Sequence, residues 1–232
     1  MATESALWCV VPAAGRSTRV GGDIPKQYLA VAGKPLLLHT LDRLAAHPRV
    51  AGLMVVLAAH DPHWPDIAEL RGKLVPTAIG GAERADSVLA GLHALRSRAA
   101  DEHFILVHDA ARPCVAADDI SRLLELGIPA GGGLLAAPVR DTLKRVDASG
   151  RVVATEPRES RWRALTPQLF RYGELVAALE SARAAGVNVT DEAMAMELAG
   201  HKPLLIEGAE SNIKVTTPPD FALAEFLLTR TN

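Results

Sequence analysis

The sequence predicts an α/β fold in three layers, a mostly parallel sheet with helices on both faces and an inserted β-hairpin arm. Three observations predict it. Short, continuous apolar runs recur along the chain, the pattern of strands buried on both faces. Segments of helical period separate them, and alternation of the two builds a parallel sheet covered on both sides. The first apolar run passes directly into a loop of very small side chains, Pro12-Ala13-Ala14-Gly15. Such a loop lets a ligand approach the main chain at the edge of an α/β sheet.

The elements follow in order. Residues 8–11 form the first strand, and the loop after it delivers cations at Arg16, Arg19 and Lys26. Cations beside a close-approach loop suit a polyphosphate. The loop matches neither G-x-G-x-x-G nor G-x-x-x-x-G-K-[ST], so the dinucleotide and Walker A readings do not apply. Residues 35–46 place Leu37, Leu41 and Leu44 on one helical face. Strands are predicted at 53–58 and 74–79. Gly80-Gly81-Ala82-Glu83-Arg84-Ala85-Asp86-Ser87 then joins strand to helix. Ser87 there can bond a base or sugar, or it or Asp86 can cap the helix at 84–98, which carries Val88, Leu92 and Leu95.

A strand at 104–108 ends in His108-Asp109-Ala110-Ala111-Arg112-Pro113. An acid at the carboxyl end of a buried strand stands where open α/β sheets bind ligands. Asp109 can face a hydrated Mg²⁺ that bridges triphosphate oxygens, or serve as a plain cap. Asp118 is expected to cap a helix bearing Leu123, Leu124 and Leu126, and a strand follows at 133–138. Strand-like runs at 142–146 and 152–155 flank Asp147-Ala148-Ser149-Gly150, a turn signal. Two strands are marginal alone, so this arm, about 139–161, must pack on its parent domain or on another copy. Helices are predicted at 172–185 and, behind a Thr190 cap, at 191–199. The last opens at Thr217-Pro218-Pro219-Asp220. Before it, Ser211-Asn212-Ile213-Lys214-Val215-Thr216 supplies a third cation to join Arg19 and Lys26.

Composition bounds the rest. The chain has 232 residues, 49% hydrophobic and 22% charged, which suits one globular domain spanning 1–232. No apolar run reaches the roughly 18 residues of a membrane span, and no signal-peptide pattern opens the chain. Cys9 and Cys114 have no metal-site spacing, and the expected location is the cytoplasm. A net charge of −2 argues against a nucleic-acid partner. Between Arg140 and Arg171, however, eight basic residues face four acidic ones, which suits a small anionic partner or a solvated hairpin.

Eight motifs in order resemble the 2-C-methyl-D-erythritol 4-phosphate cytidylyltransferase family, from about residue 10 to 230. They are Pro12-Ala13-Ala14-Gly15, Pro25-Lys26-Gln27-Tyr28, Glu83-Arg84-Ala85-Asp86-Ser87-Val88, His108 to Pro113, Pro138-Val139-Arg140-Asp141-Thr142, Ala164-Leu165-Thr166-Pro167-Gln168, Thr190-Asp191-Glu192 and Asn212-Ile213-Lys214-Val215-Thr216. The resemblance implies a nucleotidyltransferase-type (Rossmann-like) αβα fold and a homodimer that exchanges arms. It implies transfer of CMP from CTP to methylerythritol 4-phosphate, releasing pyrophosphate, with Mg²⁺ as cofactor. Pro12, Ala13, Ala14, Gly15, Gly81, Ser87 and Ala110 would then line the CTP site. Arg19, Lys26 and Lys214 would be catalytic. Asp109 would serve metal and substrate, with Arg112, Thr142, Arg158, Thr166 and Thr190 completing the substrate site. Thr142 and Arg158 would reach across from the partner's arm.

Three positions depart from the pattern: Ser17 replaces a loop glycine, Ala82 an acid, and Ser211 an aspartate whose place adjacent Glu210 could fill. A phosphate monoester acceptor is anionic already, so no histidine is assigned as base, and His108 is expected to be structural. The alternatives are a cytidylyltransferase for ribitol 5-phosphate or another polyol phosphate, and a non-catalytic nucleotide sensor. A glycosyltransferase is disfavoured because an Asp-x-Asp metal motif is missing.

Overall fold

The computed structural model describes residues 6–15 and 24–230. In chain order the elements are β1 (Leu7–Pro12), a 3₁₀ turn (Lys26–Tyr28), β2 (Ala30–Val31), β3 (Lys34–Pro35), α1 (Leu36–Ala46), β4 (Val50–Leu57), β5 (Glu69–Leu70), β6 (Lys73–Leu74) and β7 (Thr77–Ile79). There follow α2 (Arg84–Ala94), β8 (Phe104–Val107), α3 (Ala117–Gly127), β9 (Gly132–Pro138), β10 (Leu143–Val146), β11 (Val152–Glu156), β12 (Trp162–Arg171), α4 (Tyr172–Ala184), α5 (Glu192–Leu198), β13 (Leu204–Glu207) and α6 (Pro218–Arg230). The main sheet runs β13-β9-β12-β8-β1-β4-β6-β5, with β7 also paired to β4.

β1 shows why both faces are covered. Leu7, Cys9 and Val11 pack with Leu37 and Leu41 of α1 and Ile120 and Leu123 of α3. Trp8 and Val10 point the other way, against Val88 and Leu92 of α2 and Leu175 of α4. Both layers are largely aliphatic, and a continuous apolar strand is what a doubly covered sheet requires. Gly91 lets α2 lie close to the sheet: a Cβ there would meet Val56 Cγ2 at 2.7 Å and Val10 Cγ1 at 2.8 Å.

Several sequence expectations need correction. No strand is expected over 162–171, yet β12 lies between β8 and β9, antiparallel to both. Thr166, Pro167 and Gln168 interrupt its apolar run, and the pairing register slips between Ala164 and Gln168 to accommodate them. β13 at the sheet edge is likewise absent from the expected strands. The expected 74–79 strand is two pieces, β6 and β7, divided around Pro76. Leu126 is exposed, because the buried face of α3 centres on Ile120, Leu123, Leu124 and Gly127. Ala116, not Asp118, is the N-cap of α3, with Asp118 in the first turn near the positive end of the helix dipole. Asp191, not Thr190, caps α5, accepting from the Met194 N–H at 2.9 Å.

Between Pro138 and Trp162 the chain leaves the sheet. β10 and β11 form a separate antiparallel ribbon, its base closed by Val139 N–H donating to the Arg161 carbonyl at 3.0 Å. Val146, Val152 and Val153 are exposed on it.

Candidate active site

β1, β4, β7 and β8 run parallel, so their carboxyl ends open on one side of the sheet. β1 lies between β4 and β8, where the order of strands reverses, and such a switch point leaves a crevice. The segments leaving these strands wall a cavity of about 630 Å³. Pro12, Ala13, Ala14 and Gly15 come from β1, Ala58 and Ala59 from β4, Gly80 to Arg84 and Ser87 from the β7–α2 junction, and Asp109, Ala110 and Ala111 from β8. Lys26, Gln27 and Lys214 complete the wall. Small residues keep it open, and Gly80 is needed where the walls meet. A Cβ there would stand 2.5 Å from the Ala14 Cβ and 2.7 Å from Ser87 Oγ.

Long-range hydrogen bonds draw the cationic segments in. Gln27 is buried, and its Nε2 donates to the Ala13 carbonyl at 2.8 Å and the Gly15 carbonyl at 3.3 Å. Lys26 Nζ donates to the Val215 carbonyl at 2.8 Å. Val215 N–H in turn donates to the Ala111 carbonyl at 2.8 Å. Lys26 and Lys214, 188 positions apart in number, therefore share one cavity.

Asp109 is the hub of the site. Arg84 Nε meets its Oδ1 at 2.9 Å, Lys214 Nζ meets Oδ2 at 2.9 Å, and Arg112 Nε stands 3.5 Å from Oδ2. Burial alone would raise the pKa of this carboxyl. Arg84, Lys214 and Arg112 together outweigh burial and hold it well below the usual carboxylate range. Arg84 is also clamped from behind, its Nη1 and Nη2 donating to Glu192 at 2.6 and 3.1 Å. Burial works against its charge, but Glu192 and Asp109 hold the proton more firmly than in water. Arg112 Nη1 donates to the Asn212 carbonyl at 2.7 Å, tying the Lys214 segment to β8.

Beneath the hub, His108 is fully buried. Its Nε2 lies 3.0 Å from the Arg112 carbonyl, which can only accept, so Nε2 carries the proton. Nδ1 of the neutral ring then accepts from the Thr166 hydroxyl at 3.0 Å, and the same hydroxyl accepts from the Asp109 N–H at 3.0 Å. Burial lowers the His108 pKa to about 4, so the ring is neutral near pH 7. It fixes the backbone that presents Asp109.

The expected site residues thus divide. Pro12, Ala13, Ala14, Gly15, Lys26, Gly81, Ser87, Asp109, Ala110 and Lys214 line the cavity. Arg112 and Thr166 are buried around Asp109. Thr142 and Arg158 stand exposed on the arm, where Arg158 Nη1 donates to the Arg140 carbonyl. Thr190 is exposed, its hydroxyl 3.6 Å from Met194 Sδ. Arg19 and Ser17 lie outside the described residues. Glu210, beside Ser211, pairs with Arg140 at 3.0 Å and with Arg163. Sequence reasoning gives Arg84 and Glu192 no role. Each sits inside a quoted motif, but nothing local to either shows that they meet across 108 positions.

The family model described as 2-C-methyl-D-erythritol 4-phosphate cytidylyltransferase matches residues 7–230. A protein of that name from Stenotrophomonas maltophilia (strain K279a) is 59% identical over 228 residues, covering 98% of each chain. One from Xanthomonas campestris pv. campestris (strain 8004) is 58% identical over 223 residues, 96% of this chain and 84% of that one. The crystal structure of the Francisella tularensis 2-C-methyl-D-erythritol 4-phosphate cytidylyltransferase superposes with a TM-score of 0.83 at 33% identity, covering 96% of this chain and 100% of that one. Its Thermus thermophilus counterpart gives 0.77 at 32% identity, over 98% and 100%. The chain belongs to the 2-C-methyl-D-erythritol 4-phosphate cytidylyltransferase family.

Proposed function

We infer that the cavity holds CTP with its triphosphate among Lys26, Lys214 and the loop from β1, and that the acceptor phosphate enters beside Asp109. The enzyme is a nucleotidyltransferase of isoprenoid precursor biosynthesis. It transfers CMP from CTP to 2-C-methyl-D-erythritol 4-phosphate, forming 4-diphosphocytidyl-2-C-methyl-D-erythritol and releasing pyrophosphate. The observation that carries the site assignment is the convergence of Lys26, Lys214 and Asp109 on one small-residue cavity.

The acceptor phosphate attacks the α-phosphorus while pyrophosphate departs. Both reactants are anions, so the protein's task is positioning and charge compensation. In our reading Lys214 meets the α-phosphate, while Lys26 and Arg19 hold the leaving phosphates. Gly81 and Ser87 face the cytosine and ribose. Asp109 and Arg112 face the methylerythritol hydroxyls, and Thr142, Arg158, Thr166 and Thr190 complete the acceptor site.

Mg²⁺ suits this donor set as a passenger of the nucleotide. Among the described residues no three His, Cys, Asp or Glu side chains converge to hold a metal alone. Triphosphate oxygens and one Asp109 oxygen would hold it, and when bound it offsets phosphate charge. The valines exposed on the β10–β11 ribbon support a homodimer in which each arm crosses to the partner's site. No helix among the described residues is long and apolar enough to cross a membrane, and we place the enzyme in the cytoplasm.

Pyrophosphate release measured with CTP, ATP, GTP and UTP, each against methylerythritol 4-phosphate and ribitol 5-phosphate, tests the reading. Turnover is expected with CTP and methylerythritol 4-phosphate. Preference for another nucleotide, or equal use of the ribitol ester, would contradict it.

A further inference from the structure

Glu192 takes no part in the roles assigned above, yet its side chain is 1% exposed and faces Arg84, the cation that links it to the site. A buried carboxylate is costly unless well paired, and the fork it makes with Arg84 is bidentate. The guanidinium is planar and rigid, so fixing two of its nitrogens fixes the third. The third, Nε, holds Asp109 Oδ1. The position of Glu192 therefore dictates where that oxygen sits.

The other side of Asp109 is built differently. Among the described residues Lys214 makes one ion pair, to Oδ2, and its side chain is 43% exposed, whereas that of Arg84 is 25% exposed and held at three nitrogens. An incoming phosphate draws away the cation that is held least. The Glu192 pair is not required merely to seat α5. Gln168 already does so, its Oε1 accepting from the Ala193 N–H at 2.8 Å and its Nε2 donating to Asp191 at 2.9 Å.

We propose that Glu192 is a positioning residue for nucleotidyl transfer: it fixes Arg84, and through it Asp109, and so reserves Lys214 for the reacting phosphate. The clamp keeps Arg84 from turning to the nucleotide in a non-productive way. This inference rests on the reading in which Asp109 and Lys214 serve the reaction.

The test compares Glu192→Gln, Arg84→Lys, their double variant and Asp109→Asn in the whole enzyme. Turnover with CTP and methylerythritol 4-phosphate is measured beside the calorimetric Kd for Mg·CTP and the thermal melt. In folded Glu192→Gln, kcat is expected to fall at least tenfold while the Kd for CTP stays within threefold or tightens. Arg84→Lys should lose as much, because an ammonium cannot span both carboxylates, and the double variant should match the poorer single within threefold. A purely structural pair would lower the melting temperature and leave kcat of the folded protein unchanged. The proposal is overturned by kcat within threefold of wild type in either folded single, by losses that multiply in the double, or by CTP affinity falling in step with kcat. If Glu192→Gln does not fold, Arg84→Lys decides on the same criteria. Asp109→Asn separates the two levels. Wild-type turnover there sinks both the reading of Asp109 and this inference, whereas impaired Asp109→Asn beside unimpaired Glu192→Gln sinks the inference alone.

Discussion

Lys26 reaches the cavity from a three-residue 3₁₀ turn whose neighbour Gln27 is pinned to the β1 loop. Its Nζ donates to a carbonyl next to Lys214, so both amines stand where phosphate charge would be met. Removing such a group acts on the transition state more than on the fold. Lys26→Ala is expected to lower kcat about a hundredfold or more with circular dichroism unchanged, and near-normal turnover would defeat the assignment. His108 makes a prediction of a different kind. Its pKa is lowered to about 4 in the fold by burial, against about 6.5 in the unfolded chain. Between those values the unfolded chain binds the extra proton, so the contribution is full above pH 6.5 and is lost as pH falls toward 4. The loss amounts to about 3 kcal/mol at most. In urea titrations from pH 7 to 4, His108→Asn should lose less stability than wild type. An identical slope in both proteins would remove His108 from the acid response. His47, lowered in the same direction by its own burial, is present in both and cancels.

At the scale of the element, α2 does two jobs. Its first residue, Arg84, holds Asp109, and its middle lies against β1 and β4 through Gly91. A valine at 91 would press on Val10 and Val56, whose short branched side chains have little room to yield. Gly91→Val is expected to cost about 1–3 kcal/mol in urea unfolding. Wild-type stability would mean that α2 can lift without penalty. The elements also show what the sequence makes legible. β1, β4, β8 and β9 announce themselves because strands covered on both faces must be apolar throughout. β12 does not, since its centre carries Thr166, Pro167 and Gln168 for the site: Thr166 supports His108 and Asp109, and Gln168 anchors α5. Function has overwritten the pattern there.

On the scale of the whole molecule, the arm stands apart, its two strands pairing only with each other among the described residues. A two-stranded ribbon with exposed valines gains little by itself. If it crosses to a second copy, the site of one subunit takes Arg158 from the other. Mixing inactive Lys26→Ala and Arg158→Ala proteins should then restore activity, up to about a quarter of the wild-type sites in a statistical exchange between two-fold dimers. No recovery after verified exchange of subunits would show that each site is complete within one chain.

The motifs are local and so can be read directly: the small loop after β1, the glycines before α2, and the acid after β8 each need only neighbours in the chain to state their chemistry. Their order along the chain points to the family, the strand–helix alternation and most of the cavity wall. Which charges answer one another emerges only once the chain is folded. Arg84, Glu192, Asp109 and Lys214 belong to four separate segments, and ion pairs leave no periodic trace in sequence because they depend on distance in space. The same holds for β12, whose place in the sheet is set by hydrogen bonds to β8 and β9 rather than by the hydrophobicity of its own residues.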